Sequence, residues 1–180
     1  EFALSRRDPQ YVSRSKVMRQ IERDREAGKA LPEEVRNVYA ALTKAGVKND
    51  PANTDIGSTI FANMPGDGSA REQAASCQRV MGASANFAKQ YATKRYRSNC
   101  INWGMTPFLV ENPEVFALGD YIFIPGLRQA VLENKASFSA YVVKADGTVT
   151  EFPVSTGALT EPERQIIADG CLINYYRNNQ

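Results

Sequence analysis

Histidine is absent from the 180 residues of this chain. The absence excludes Ser-His-Asp and Cys-His nucleophile mechanisms, histidine general bases and every zinc site with a histidine ligand. Any chemistry that the chain performs must therefore use hydroxyls, carboxylates, amines, guanidinium groups or backbone amides.

Cysteine is also scarce, since the chain has only Cys77, Cys100 and Cys171, without a C-x-x-C pair. An odd number of cysteines at wide spacing argues against a disulfide framework, and against a zinc or iron–sulfur site made by this chain alone. We therefore predict free, buried or half-buried thiols, no metal ligands in the chain, and a reducing, cytoplasmic location.

Long apolar runs and a charge excess are missing as well. No stretch approaches 18 consecutive apolar residues, and no basic-then-apolar signal segment opens the chain, so we expect no membrane association. The formal net charge is +2, from 22 Lys and Arg against 20 Asp and Glu. This balance argues against nucleic acid as a partner. Because the first residue is Glu1 rather than methionine, we expect the chain to be part of a longer protein.

Residues 1–55 and residues 56–180 differ in character. The first segment predicts a charged helix over residues 10–28 and a second helix between Pro32 and Gly46, because proline is typical of a first helical turn and glycine of a helix end. We predict that residues 1–55 form a helical appendage and that residues 56–180 form the main domain.

The main domain alternates apolar strands with amphipathic helices. Strands are predicted over residues 58–62, 83–88, 106–110, 121–124, 138–144 and 148–154, and helices over residues 70–80, 91–102, 127–133 and 160–169. Asp146 and Gly147 predict a tight hairpin turn, and Thr160 with Glu163 predicts a capping box. This order of elements predicts an α/β fold with a mixed sheet flanked by helices.

The loop with the clearest chemical potential is residues 66–73, which read Gly-Asp-Gly-Ser-Ala-Arg-Glu-Gln between a predicted strand and a predicted helix. Glycines let a backbone approach a ligand, and free amides at a helix start favour anions. Arg71 falls in the first helical turn, where a cation is disfavoured unless an anion offsets it. A guanidinium there is a good receptor for carboxylate or phosphate. The structural alternative is that Ser69 and Glu72 form a capping box.

A second candidate is the basic segment at residues 89–97, in which lysines and arginines are interleaved with tyrosines. Such a pattern is typical of phosphate contacts combined with base stacking. Its structural alternative is the solvated face of an amphipathic helix.

The string Gly-Asp-Gly-Ser-x-Arg-Glu at residues 66–72 resembles the signature loop of the C-terminal swivelling domain of the aconitase and hydro-lyase superfamily. That domain also occurs as the small subunit of isopropylmalate isomerases. The similarity continues through residues 99–107, which resemble the family's Asn-to-Gly-x-x-Pro segment, and it extends over residues 57–178. The resemblance implies a swivelling-domain fold and a hydratase that acts on a hydroxy di- or tricarboxylic acid.

The resemblance also implies roles for individual residues. Ser69 would be the base that removes the proton alpha to a carboxylate, and Arg71 would bind a substrate carboxylate, with Gly68 and Ala70 beside the substrate. The family uses a [4Fe–4S] cluster whose ligands lie in its large domains. The resemblance therefore implies that cluster-bearing domains, or a large subunit, are the partner, and that the chain is inactive by itself.

The chain departs from the family at two places, and an alternative function is also open. Ala70 stands where the family has a second serine, which implies an acid other than citrate. The family's Thr-Asp strand and a further arginine have no match here, and we expect them upstream of Glu1. The alternative function is a non-catalytic nucleic-acid or protein interaction module on the same fold, which would use residues 89–97 and the N-terminal arginines.

Overall fold

The structure is a computed structural model that describes residues 5–179, so the first four residues of the predicted appendage and Gln180 lie outside it. The helices are α1 (Tyr11–Glu26), α2 (Glu33–Lys44), α3 (Arg71–Met81), α4 (Lys94–Asn102), α5 (Leu127–Leu132), α6 (Glu161–Ala168) and α7 (Leu172–Asn178). The strands are β1 (Ser58–Ala62), β2 (Ala83–Ala88), β3 (Thr106–Leu109), β4 (Tyr121–Phe123), β5 (Phe138–Val143) and β6 (Val149–Val154).

The predicted α/β class is confirmed, with the strands divided between two small sheets. Strands β1, β2 and β3 form a parallel sheet with β2 in the middle, and β4, β5 and β6 form an antiparallel sheet with β5 in the middle. The sheets are joined by a bridge in which Leu109 and Ser155 exchange backbone hydrogen bonds of 2.7 and 3.1 Å. Helices flank both sheets.

The main core lies between the two sheets. The stacked rings of Phe87 and Phe108, with centroids 5.0 Å apart, come from the parallel sheet. The antiparallel sheet contributes Val142, Phe152 and Val154 to the same cluster. Burying such side chains stabilises the fold by roughly 1.5–3 kcal/mol each, so this cluster holds the two sheets together.

The N-terminal helices pack directly on the domain. Leu42 of α2 is fully buried in a cluster that includes Phe123 and Val143 of the antiparallel sheet. On α1, the Ser15 hydroxyl donates to the Met81 carbonyl at 3.1 Å, and Glu22 accepts a 2.9 Å hydrogen bond from the backbone amide of Ile56. The helices of this segment therefore share the core of the α/β domain.

Local signals predicted several elements well and others poorly. The hairpin at Gly147 and the capping box between Thr160 and Glu163 are both present. Helix α4 begins three residues later than predicted, because Thr93 caps it by accepting a hydrogen bond from the Tyr96 amide at 3.2 Å. The short helix α7 was not predicted, since its N-cap residue makes no side-chain cap. Across the described part of the chain, no helix is both long and apolar enough to cross a membrane.

Candidate functional site

The glycine-rich loop lies at the carboxyl edge of the parallel sheet, where it runs beside the loop that follows β2. The Gln90 amide donates to the Asn63 carbonyl at 3.1 Å, and the Ala92 amide donates to the Pro65 carbonyl at 2.9 Å. Ligands of open α/β sheets bind outside the carboxyl ends of the strands. The two paired loops therefore occupy the usual ligand position of this architecture.

Gly66 fixes the path of the loop. Its φ is +99°, and a Cβ built there would lie 2.5 Å from the Cβ of Tyr96. A side chain at this position would be strained by the backbone and would also collide with Tyr96. The close approach of the loop to α4 therefore requires glycine.

The carbonyl of Gly66 accepts two side-chain hydrogen bonds. One comes from Nε of Arg71 at 3.0 Å, and the other comes from Oγ1 of Thr93 at 2.9 Å. The half-buried side chain of Arg71 makes no further hydrogen bond or ion pair with residues 5–179. Its two terminal amino groups are thus left for a partner that the described chain does not supply.

Helix α3 begins at Arg71 without a side-chain cap. Its N-cap residue is Ala70, so the structural alternative, a capping box between Ser69 and Glu72, is not present. The Glu72 carboxylate instead accepts a 2.9 Å hydrogen bond from Nε1 of Trp103. The first backbone amides of α3 therefore have no capping acceptor, and such amides favour an anion.

Ser69 stands one residue before the N-cap and is exposed, as are Asp67, Gly68 and Ala70. The Ser69 hydroxyl has no hydrogen-bond partner within the described residues. A Cβ built at Gly68 would meet nothing within 4 Å, so the space beside the loop is open. The structure thus brings Ser69, Arg71 and the helix start to one exposed edge.

A buried polar network, which the sequence did not predict, joins the elements on either side of this loop: helix α3, strand β2 and helix α4. Asn86 exchanges hydrogen bonds of 2.7 and 3.1 Å with Gln78 and donates to the Tyr96 hydroxyl at 3.1 Å. The Tyr96 hydroxyl in turn donates to Gln78 at 3.2 Å. Burial raises the pKa of Tyr96, so the hydroxyl remains a donor at neutral pH. The sequence offers one indication of this network, which is Asn86 in a strand otherwise made of alanine, serine and phenylalanine.

In the basic segment at residues 89–97, the two tyrosines and Arg97 make contacts inside the fold, while Lys89, Lys94 and Arg95 are exposed. The Tyr91 hydroxyl donates to the Asn86 carbonyl at 3.1 Å, and Tyr96 is only 4% exposed. Arg97 donates to the Thr156 carbonyl at 2.9 Å, which ties α4 to the segment after β6. Tyr96 is therefore buried away from any base, and Tyr91 is half-buried with its hydroxyl bonded inside the fold.

The cysteines do not fit the cluster that the family resemblance implies. Cys100 is fully buried, and burial raises the pKa of its thiol to about 11. Cys77 is exposed on α3, and Cys171 precedes α7. Over residues 5–179, no group of three or more His, Cys, Asp or Glu is placed to hold a metal ion.

Comparison of the sequence with protein-family models and with curated proteins gives no match.

Proposed function

We propose that the chain is the C-terminal swivelling domain of an aconitase-like hydratase that acts on a hydroxy di- or tricarboxylic acid. The observation that carries the proposal is the placement of Ser69. Its hydroxyl is exposed and without a partner in the described chain, one residue before the uncapped start of α3. Arg71 stands in the first turn of that helix, with its side chain tied to the loop.

Arg71 binds a substrate carboxylate in this proposal. Its Nε is already satisfied by the Gly66 carbonyl, so the guanidinium is oriented before the substrate arrives. The two terminal amino groups can then donate to both oxygens of one carboxylate, which is the strongest geometry for such a pair. The open space beside Gly68 leaves room for the rest of the acid.

In this proposal the alkoxide form of Ser69 removes the proton alpha to a carboxylate and thereby becomes a hydroxyl, which gives that proton up to solvent before the next turnover. A serine alkoxide is a strong base that water would protonate, so the site must stabilise negative charge on the oxygen. The uncapped backbone amides at the start of α3 and the positive charge of Arg71 supply an electrostatic field that stabilises this negative charge. Ala70 presents a methyl group where a serine would add a hydrogen bond to substrate.

The family's [4Fe–4S] cluster would supply Lewis-acid chemistry toward the substrate hydroxyl. Because the cysteines of this chain do not fit such a cluster, we propose that it belongs to cluster-bearing domains of the same polypeptide or to a large subunit. The chain alone then carries half of an active site and is inactive. The alternative is a non-catalytic nucleic-acid or protein interaction module, and its nucleic-acid form loses support because Tyr91 and Tyr96 make internal hydrogen bonds.

The test is a titration of the purified, ¹⁵N-labelled chain with citrate and with 2-isopropylmalate at constant ionic strength. We expect amide shifts concentrated in residues 68–73, and no hydration or dehydration of either acid. Arg71→Lys should weaken binding at least about tenfold, because one amine replaces a bidentate guanidinium. The matched control is Arg95→Lys, at an exposed position of α4, which should leave the titration unchanged. Turnover by the chain alone, or equal loss in both variants, would contradict the proposal.

Ala70→Ser should shift the preference of the intact enzyme towards tricarboxylates. The added hydroxyl can donate to a charged carboxylate, and a hydrogen bond of that kind is worth about 1.5–3 kcal/mol. We expect the ratio of kcat/KM for citrate to that for 2-isopropylmalate to rise about tenfold or more. Competition assays on the variant and the parent enzyme measure this ratio. An unchanged ratio would show that residue 70 does not face the substrate.

A further inference from the structure

We propose that Thr93 is a positioning residue for Arg71, an inference that rests on the proposed function of the loop. Thr93 lies 27 positions from Gly66 in the chain, at the start of a different helix. Its hydroxyl reaches the same carbonyl oxygen that anchors the Arg71 side chain. The anchor of the proposed carboxylate receptor is therefore set by two elements, the loop after β1 and the start of α4.

The Thr93 hydroxyl performs two tasks at once. Its oxygen accepts from the Tyr96 amide at 3.2 Å, which caps α4, and its proton is donated to the Gly66 carbonyl at 2.9 Å. A helix cap needs only the acceptor, which asparagine or aspartate would supply equally well. The donated hydrogen bond is not needed for the cap, and its direction is towards the loop.

The donated hydrogen bond restricts the Gly66 carbonyl. The carbonyl oxygen has two lone pairs, and in this structure Thr93 occupies one while Nε of Arg71 occupies the other. Without the threonine proton, the carbonyl loses one of the two interactions that fix its direction. The guanidinium would then sample more rotamers, and its ordering would have to be supplied when a carboxylate binds.

The experiment uses the purified chain, with citrate as the probe, and four forms of residue 93. Thr93→Ser keeps both tasks, Thr93→Val loses both, and Thr93→Gly loses the donor while glycine remains an acceptable N-cap residue. Thr43→Val is the control, because Thr43 also donates to a backbone carbonyl, that of Tyr39, within a helix remote in sequence from the loop. Urea unfolding of every variant reports its stability separately.

Two readouts are followed: the exchange rate of the Arg71 Nε proton without ligand, and the citrate dissociation constant. We expect Thr93→Val and Thr93→Gly to speed the exchange and to weaken citrate binding about fivefold, the equivalent of one neutral hydrogen bond. Thr93→Ser should stay within about twofold of the parent chain for both quantities, and so should Thr43→Val.

Unchanged Nε exchange in Thr93→Gly, or a Thr93→Ser variant as impaired as Thr93→Val, would overturn the positioning role. The exchange readout also separates the two proposals. If neither citrate nor 2-isopropylmalate binds the parent chain while Thr93→Gly still speeds exchange at Arg71, the positioning role holds and the hydratase proposal fails.

Discussion

Replacing Ser69 with alanine in the intact hydratase is expected to lower kcat by at least about a thousandfold, with KM changed by less than about threefold. The variant loses the group that accepts the alpha proton, and general-base catalysis contributes roughly 10²–10⁴-fold. Substrate binding depends mainly on Arg71, whose anchoring to Gly66 does not involve Ser69. Steady-state kinetics with a hydroxy di- or tricarboxylic acid measure both constants.

The matched control is Ser76→Ala on the same helix. The Ser76 hydroxyl donates to the Gln73 carbonyl at 3.3 Å, so its loss removes a comparable group away from the helix start. We expect kcat of this variant within about twofold of the parent enzyme. A Ser69→Ala enzyme that keeps more than a tenth of its activity would exclude Ser69 as the base.

Gly104→Ala is expected to lower the free energy of unfolding by at least about 4 kcal/mol. The φ of Gly104 is +73°, which disfavours alanine by roughly 1–2 kcal/mol. A Cβ built there would also lie 1.7 Å from the Gly170 carbonyl oxygen. Because that oxygen belongs to the backbone, the turn between α6 and α7 would have to move away from the end of α4. A loss of stability this large is expected only from a steric conflict of this kind.

Gly119→Ala separates the two causes, because Gly119 has a φ of +94° with nothing within 4 Å of a built Cβ. We expect Gly119→Ala to lower the free energy of unfolding only by the cost of the positive φ, about 1–2 kcal/mol. Urea unfolding of both variants and the parent chain gives the comparison. Equal losses in the two variants would show that contact with Gly170 does not constrain the fold.

The elements that the sequence predicted well are those specified by neighbouring residues. The turn at Gly147 and the capping box at Thr160 need only residues within a few positions of each other. The division of the strands into two sheets was not predictable in the same way. It depends on pairings between distant segments, such as the bridge of Leu109 with Ser155, that local patterns do not specify.

The candidate site shows the same limit. The sequence placed the loop between a strand and a helix, and the structure has it there. The capping box between Ser69 and Glu72 is absent, and Glu72 instead accepts a hydrogen bond from Trp103, which lies 31 positions away in the chain. The partners of Asn86 and of the Gly66 carbonyl likewise come from other elements. The hydrogen-bond partner of a side chain therefore depends on residues that are distant in sequence and become adjacent only in the folded structure.

A structure of the chain with citrate bound tests directly whether this loop binds a hydroxy acid. We expect one citrate carboxylate to accept hydrogen bonds from both terminal amino groups of Arg71, with the Ser69 hydroxyl facing a methylene carbon of the acid. Nε of Arg71 should still donate to the Gly66 carbonyl, as it does without ligand. Citrate bound elsewhere, or an Arg71 side chain turned away from it, would contradict the assignment of this loop as half of a hydratase active site.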